Sequence, residues 1–589
     1  MHETARDAHG PQHTPGAEGT PADPGEITES GQELIQRAPS GYLWNQAYSF
    51  WLFVSLLLFE VVARRSLTQD DTNVFDLVST AANLGFYLAS LGLSSAGTVF
   101  IPRALAEGGP GRALVLAIRL VILRLLTVMV VSAVLLWGLP ELVGLAQAAG
   151  WPYGADLANS YAIRVVVEHR AIVAAYVVGV GMSNLLGGLL VALVRTRVVF
   201  IAGGLGQVLL LVLAYMLSVT FGGGVDGLLA AQALPGAFTA LIYAVALRQV
   251  LRARADREGK RLLGPTVQLG VASWLADLPN AALILPIAVG QLTAVAPQQL
   301  LFFKSTYQMG DAGTRFFTEG LGGVSMATMS AAYGDGRMGP LAVAWRTVSK
   351  LQVLLAVPLA AFCVPHAGAI MAALFGSRYS SSGMLFAVFL ILNALMQVIG
   401  GATQEWVLYV LGRQQWVVVS RWASLGLLLP LGYFLIPAYE ALGALLAVGL
   451  ARLAAAIFLF VIARIAMRRA YPWAFTLKIL VGMVPAVAFA VAWRPQSFFL
   501  LVGAGAIYAI IFAACMWLIR PLDEEDAGLL TQVAKPLRVF LSLFVARART
   551  PRSRGGALAA GGGQAAVAGM SQSGPVVVPH SDPANGPER

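Results

Sequence analysis

Between Trp44 and Ile519 the chain returns again and again to one pattern, an apolar stretch near 20 residues long closed by a short turn carrying Arg, Gly or Pro. At 1.5 Å per residue, such a stretch matches the roughly 30 Å hydrocarbon core of a bilayer. That core holds no water to satisfy a bare peptide group, so each crossing must be a helix. The 589 residues are 57% hydrophobic and 12% charged, against roughly 25% charged in a soluble domain. An all-α polytopic membrane protein follows, and soluble enzymes and nucleic-acid-binding proteins are disfavoured.

By the length rule the stretches give about 14 transmembrane helices. The first six expected spans run Trp44–Ala63, Val74–Phe100, Ala113–Trp137, Arg170–Val194, Val199–Phe221 and Gly227–Leu247. The next eight run Val267–Leu292, Gln298–Tyr333, Trp345–Phe375, Gly383–Leu411, Trp416–Pro437, Ala441–Ile465, Phe475–Trp493 and Ser497–Ile519. The partly polar segment between Trp137 and Arg170 reads as an external loop with an interfacial helix.

The formal charge of +10 is distributed by topology. One set of loops carries Arg103, Arg112, Arg195, Arg197, Arg248, Arg252, Arg254, Arg257, Lys260, Arg261, Arg337, Arg413, Arg464, Arg468 and Arg469. The opposite set carries Arg64, Arg65, Arg164, Arg378 and Arg494, offset in part by Asp70 and Asp71. Cytoplasmic loops collect Lys and Arg, so both termini are expected in the cytoplasm of a bacterial-type inner (plasma) membrane, with an even helix count. This accounts for the positive charge without a nucleic acid. Cys363 and Cys515 lie in apolar stretches, and His2, His9 and His13 lie in a polar tail. No disulfide framework, metal site or cofactor is expected from them.

Residues 1–40 and 549–589 have the Gly, Pro, Ser and Ala content of disordered tails, the first cytoplasmic. Within 521–548, Leu529, Val533, Leu537, Phe540 and Phe544 fall at helical spacing, as in an amphipathic segment on the cytoplasmic surface. LGLSSAGT at Leu91–Thr98 has a counterpart in LGGVSMAT at Leu321–Thr328, and VALVRTRVVF has one in YVLGRQQWVV. Each match pairs a span with the sixth one after it. Such order predicts two pseudo-symmetric six-helix lobes, at 41–250 and 265–468. A basic cytoplasmic linker, 251–264, separates them, and an extra helix pair, spans 13 and 14, occupies 469–520.

The run ARRSLTQDDTNVFDLVSTAANLGFYLASLGLSSAGTVFIPRALAEGG resembles the opening of polysaccharide and O-antigen flippases. These belong to the multidrug/oligosaccharidyl-lipid/polysaccharide (MOP) exporter superfamily. Leu91–Pro102 carries most of the likeness, with Thr98-Val99-Phe100-Ile101-Pro102 standing where Arg-Phe-Ile-Pro is common in the family. The joints Gly187–Arg197 and Gly400–Arg413 look like the family's helix turns. The resemblance spans roughly Trp44 to Ile519. It implies a V-shaped pair of lobes around a cavity and alternating access. The implied cargo is an oligosaccharide on polyprenyl pyrophosphate, moved from the inner to the outer leaflet for cell-surface polysaccharide synthesis. Membrane lipids and the cargo would be its ligands, with a polysaccharide polymerase and glycosyltransferases as partners.

On this reading the protein is a secondary-active flippase rather than an enzyme. No GxxxxGK[ST] occurs in the chain, and coupling to H+ or Na+ would drive it. A cation-coupled multidrug antiporter of the same superfamily stays open and favours an acidic cavity and 12 helices. A membrane glycosyltransferase, ligase or polymerase also stays open and needs a long external loop. The related lipid II flippases carry arginines on the first helix. Here no basic residue precedes Arg64 in that span, which disfavours lipid II.

A charge at a helix centre costs roughly 2.5–3.5 kcal/mol on insertion scales, so each one inside a span asks for a reason. Arg124 falls near the middle of the third span, with Arg119 less than two turns away. Facing a cavity, both would fork onto pyrophosphate oxygens; otherwise Arg119 snorkels and Arg124 pairs with an acid on another helix. Asp277 in SWLADLPN, with Pro279 and Pro286 nearby, marks a kinked helix suited to a gate or cation site, or a structural partner for Arg124 or Arg452. Arg315 and Glu319 stand i,i+4 and can pair on one face; Arg315 is otherwise a cargo contact and Glu319 a proton carrier. Arg452, central in the twelfth span, is a further anion contact. Glu405 and Arg421 read as a pair across a tight turn, and Glu60 and Lys304 as snorkelling residues at external ends.

Overall fold

The computed structural model describes residues 29–139, 141, 161–193, 195–250, 262–313, 329, 333, 338–468, 471–495 and 497–523. Residues 1–28 of the first expected tail, all of the second, the linker residues 251–261 and almost all of the amphipathic segment lie outside the described residues, whereas 29–40, expected as disordered tail, form the start of the first helix. Arg315, Glu319 and the second copy of the repeat at Leu321–Thr328 also lie outside the described residues.

The first half contains α1 (Glu29–Ser66), α2 (Gln69–Ser90), α3 (Leu93–Ala133), α4 (Tyr161–Glu168), α5 (Arg170–Ala192), α6 (Thr196–Ala214) and α7 (Gly224–Val250). The second contains α8 (Leu263–Leu278), α9 (Ile284–Val295), α10 (300–313), α11 (Met338–Cys363), α12 (Ala367–Phe375) and α13 (Gly383–Val398). It continues with α14 (Gly401–Val410), α15 (Gln414–Met467), α16 (Trp473–Ala492) and α17 (Phe498–Ile519). Eleven segments among the described residues are long and apolar enough to cross a membrane. This is a multi-pass helical membrane protein. Part of the difference from the expected 14 is local. The 54-residue α15 joins the eleventh and twelfth expected spans across the non-helical Glu440, and the eighth leaves the described residues after Gly313.

Where the chain bends, backbone chemistry says why. Thr68 caps α2 by accepting from Asp71 N at 3.3 Å, and Asp70 and Asp71 occupy its first turn, where carboxylates favour the positive helix end. The second expected span is split at Leu91 (φ 43) and Gly92 (φ 61). From Leu93 the helix then runs unbroken through 103–112, a stretch expected to be loop. A Cβ on Gly92 would stand 2.1 Å from the Gly270 carbonyl oxygen, so the LGL motif puts a glycine where α3 begins against α8. The seventh expected span is interrupted by a π-turn at Pro279–Leu283; Pro at the first position of that turn lacks the N–H that a helix there would use.

Packing follows the membrane rule that small residues let backbones meet, since apolar lipid provides no hydrophobic drive between helices. A Cβ on Gly179 would lie 2.7 Å from the Ala233 oxygen, and one on Gly236 would lie 2.8 Å from Val180 N, which seats α5 on α7. Within the first half α1 also packs on α6, and α3 on α5; in the second, α9, α13 and α14 pack on α15, and α16 on α11 and α17. The halves meet through α3 with α8, α2 with α9, and α1 with α12.

Candidate functional site

The second half encloses a cavity of about 670 Å³ whose lining residues all lie between Asn280 and Leu459. Its charged groups arrive on three helices, α10, α14 and α15. α14 starts at Gly400 (φ 90) and Gly401 (φ 36) and places Glu405 in the lining. A Cβ on Gly400 would stand 2.3 Å from Gln404 Nε2, so the glycine leaves room for the amide behind the site. That amide is fixed in turn: Trp345 Nε1 donates to Gln404 Oε1 at 3.0 Å, and Gln404 Nε2 donates to the Ile399 oxygen at 2.8 Å.

Arg421, from the first arm of α15, donates through Nη2 to Glu405 at 2.8 Å and through Nη1 to Asp277, two residues before Pro279 on α8. Trp422 Nε1 donates to the Leu275 oxygen at 3.1 Å, tying the same arm to the same helix end. Arg452, on the second arm, donates to the Tyr307 hydroxyl of α10 and lies over its ring, 5.2 Å from the centroid. Its Nη1 is 3.9 Å from Asp311. The lining therefore holds Arg421 and Arg452 with Glu405 and Asp311, and Asp277 stands behind Arg421. The two guanidiniums do not make the cavity strongly basic, because carboxylates accompany both.

Amides and hydroxyls fill much of the rest, among them Asn280, Asn393, Gln397, Ser420 and Ser424, beside the rings of Phe389 and Trp406. Arg421 Nε, Asn280 Oδ1 and Ser424 Oγ are buried without a hydrogen-bond partner among the described residues. Buried polar atoms of this kind are rare unless a ligand or water completes them. The lining can thus accept and donate hydrogen bonds to a polyhydroxylated group and stack against its apolar faces.

Sequence-chosen residues divide accordingly. Arg452 lines the cavity, Asp277 reaches it through Arg421, and Pro279 is buried at the helix break beside it. Arg124 is elsewhere. It is 1% exposed inside the first half, where Nε donates to the Gly181 oxygen at 3.1 Å and the guanidinium lies 5.5 Å from the Phe86 ring centroid. Its two terminal nitrogens have no hydrogen-bond partner, acidic or otherwise, among the described residues. Arg119 is half-buried on the same helix, and Arg315 and Glu319 fall outside the described residues.

Glu60 and Lys304 do not snorkel. Lys304 is 2% exposed and donates to Thr80 Oγ1 at 2.5 Å, and Glu60 lies 3.3 Å from Arg64. Arg64 itself, assigned from sequence to a loop, is fully buried. It grips Asp76 and reaches Gln308 at 2.7 Å. Most of these groups pair inside the protein, although Glu60 Oε2 and Arg64 Nε have no hydrogen-bond partner among the described residues. Asp311 is a lining residue absent from the sequence candidates, although the same rule, a charge within an apolar stretch, identifies it.

No protein-family signature matches the sequence, and no curated protein matches it. Solved structures do resemble the fold. A MOP superfamily transporter from Pyrococcus furiosus Vc1, with a binding pocket of reversed polarity, is 17% identical, aligns over 76% of this chain and 100% of its own, and gives a TM-score of 0.52. A multidrug resistance MATE family transporter of the MOP superfamily, in an inward-facing conformation, is 18% identical over 73% of this chain and 94% of its own, with a TM-score of 0.49. The first of these likenesses shows the architecture: the all-α membrane fold of MOP superfamily transporters.

Proposed function

We propose that the protein is a secondary-active flippase that carries a polyprenyl-pyrophosphate-linked oligosaccharide from the inner to the outer leaflet by alternating access, supplying cell-surface polysaccharide synthesis. The observation that carries this reading is the lining of the cavity. Within a chain built to bury hydrocarbon, about 670 Å³ of space is surrounded by amides, hydroxyls, aromatic faces and paired charges, with several buried polar atoms left over. That is a surface for sugar hydroxyls. The arginines add contacts for phosphate oxygens, and a guanidinium already oriented by a carboxylate meets them without searching for its rotamer. Arg124, Arg119 and Arg315 are further candidate contacts for the anion.

A headgroup of this kind is large, polar and anionic, so lipid excludes it and a protein route is required. Energy would come from H+ or Na+, with Asp277, Glu319 and the break at Pro279 as coupling or gating elements. Deleting the protein in its own cell should make lipid-linked repeat units accumulate at the inner leaflet while surface glycan falls. Normal surface glycan with no accumulation would remove the reading. Cation-coupled multidrug antiport is the second reading, supported by the three carboxylates Asp277, Asp311 and Glu405 in and beside the cavity. Drug efflux without any glycan phenotype would favour it.

A further inference from the structure

Four polar residues of α10, Lys304, Tyr307, Gln308 and Asp311, stand at i, i+3, i+4 and i+7, a spacing that forms a single stripe on a helix. The stripe runs along the seam between the two halves and divides its contacts between them. Lys304 donates to Thr80 Oγ1 of α2, and Gln308 accepts from Arg64 Nη2 of α1 at 2.7 Å, both in the first half. Tyr307 and Asp311 line the cavity of the second half. There Arg452 donates to the Tyr307 hydroxyl and places Nη1 3.9 Å from the Asp311 carboxylate. One face of one helix therefore touches both the buried charges that fasten the halves and a cavity arginine.

Packing leaves α10 little freedom of its own. At its start Leu301 N donates to Asn73 Oδ1 of α2 at 3.0 Å. At Gly310 it lies so close to α13 that a Cβ would stand 2.1 Å from the Phe389 ring. That ring meets Tyr307 edge-on, 6.0 Å between centroids, and lines the cavity. What can change is the balance of charge along the stripe. Lys304 is 2% exposed, and the charges of Asp76 and Glu60 act on it from the first half while that of Asp311 acts from its own helix. A buried ammonium is held by the carboxylates around it, and Arg452 offsets one of them, Asp311. An anion that takes up the Arg452 guanidinium leaves Asp311 less compensated, so its pull on Lys304 rises against that of Asp76 and Glu60. The two residues are about 10 Å apart along the helix axis, a distance over which charges away from water still act on each other.

We propose that α10 is a relay: an anionic group bound at Arg452 loosens the hold of Lys304 on α2, and with it the fastening between the halves. The inference rests on the flippase reading and names the residues through which the cargo is sensed. Tyr307 and Asp311 are positioning residues for Arg452, and Lys304 is the receiving end. An empty cavity leaves the fastening intact, so the halves part only when loaded.

Coupling between two sites is reciprocal, so a weakened fastening must tighten the cavity's grip on its occupant. The full chain in nanodiscs is titrated with farnesyl pyrophosphate-linked N-acetylglucosamine. Lys304→Met keeps the stem and removes the charge, and should bind this probe about fivefold or more tightly than wild type. Thr80→Val, which removes the oxygen Lys304 donates to, should shift affinity the same way. Placed on top of Tyr307→Phe with Asp311→Asn, Lys304→Met should bring no tightening. A second readout is the distance between nitroxides attached through Gln69→Cys and Ser381→Cys, exposed positions on opposite halves, with Cys363 and Cys515 replaced by Ala. Saturating probe should lengthen that distance in wild type, and Lys304→Met should lengthen it without probe. Equal tightening in both backgrounds would overturn the relay. So would wild-type affinity in both Lys304→Met and Thr80→Val, or an unchanged nitroxide distance in Lys304→Met. In each case saturable binding by the wild type leaves the flippase reading standing, whereas no saturable binding by the wild type would overturn both.

Discussion

Arg64 and Asp76 face each other across α1 and α2 with both guanidinium nitrogens on both carboxylate oxygens, each contact 2.6 Å, and neither side chain has any exposed surface. Around them the two halves are fastened. Arg64 also holds Gln308, Asn73 Oδ1 accepts from Leu301 N at 3.0 Å, and Arg65 Nη2 donates to the Ala373 oxygen at 2.7 Å. Arg378 returns the contact by donating to the Arg64 and Leu67 oxygens.

Removing one member of a buried pair strands the other. Asp76→Ala should therefore destabilise the protein by about 3–5 kcal/mol, read as a lower unfolding temperature in detergent. The double change Arg64→Met with Asp76→Leu should recover part of that loss, because it removes the two paired charges together but leaves Glu60 and Gln308 without Arg64. Equal damage in the single and double variants would show that the pair acts through something other than its charge balance.

Gly92 should tolerate no side chain. Gly92→Ala puts a Cβ against the Gly270 oxygen and asks a left-handed backbone (φ 61) of an L residue. Expected outcomes are poor membrane abundance and loss of glycan complementation. Gly264→Ala, where a Cβ meets nothing within 4 Å, serves as the tolerated control. Wild-type abundance of Gly92→Ala would mean that α3 and α8 can separate at no cost.

Arg421 should prove more sensitive than either of its acids. Arg421→Ala leaves Asp277 and Glu405 facing the cavity without the guanidinium between them, whereas Asp277→Asn or Glu405→Gln leaves one carboxylate in place. Complementation should fall furthest in Arg421→Ala, and Arg421→Lys should rescue it only in part, since one ammonium nitrogen cannot reproduce the two separated nitrogens with which Arg421 reaches Asp277 and Glu405. Full rescue by Lys would reduce Arg421 to a point charge.

Arg124→Met separates stability from transport. A buried guanidinium with two unpartnered nitrogens carries an uncompensated desolvation cost, so the variant should unfold at the same or a higher temperature. Complementation should nevertheless be lost if the charge serves the anion. Normal complementation would remove Arg124 from the cargo contacts.

How much of this is legible in the sequence depends on what each feature rests on. Span positions are readable because a bilayer sets the helix length, and the break at Pro279 is readable because a proline states its own geometry. Charges inside spans are equally visible, but their partners are not. From sequence, Arg124 and Arg452 are the evident partners for Asp277, yet its partner is Arg421, 144 residues on. Arg64 sits in a run, ARRS, that reads as a loop, and only the return of α2 and α10 against α1 makes it interior. Helix–helix register decides such pairings, and no local rule contains it. The turn at Leu91–Gly92 was hidden for another reason: apolar composition continues straight through it.

Glu440 joins the two arms of α15 with one non-helical residue (φ 49, ψ −123). Arg421 stands on one arm and Arg452 on the other, so both cationic contacts of the cavity are mounted on a single hairpin. A joint of one residue supplies two torsions and no spare length. The arms can pivot against each other but cannot slide apart. Any displacement of one guanidinium relative to the other must therefore be taken up at Glu440 or by bending within the arms.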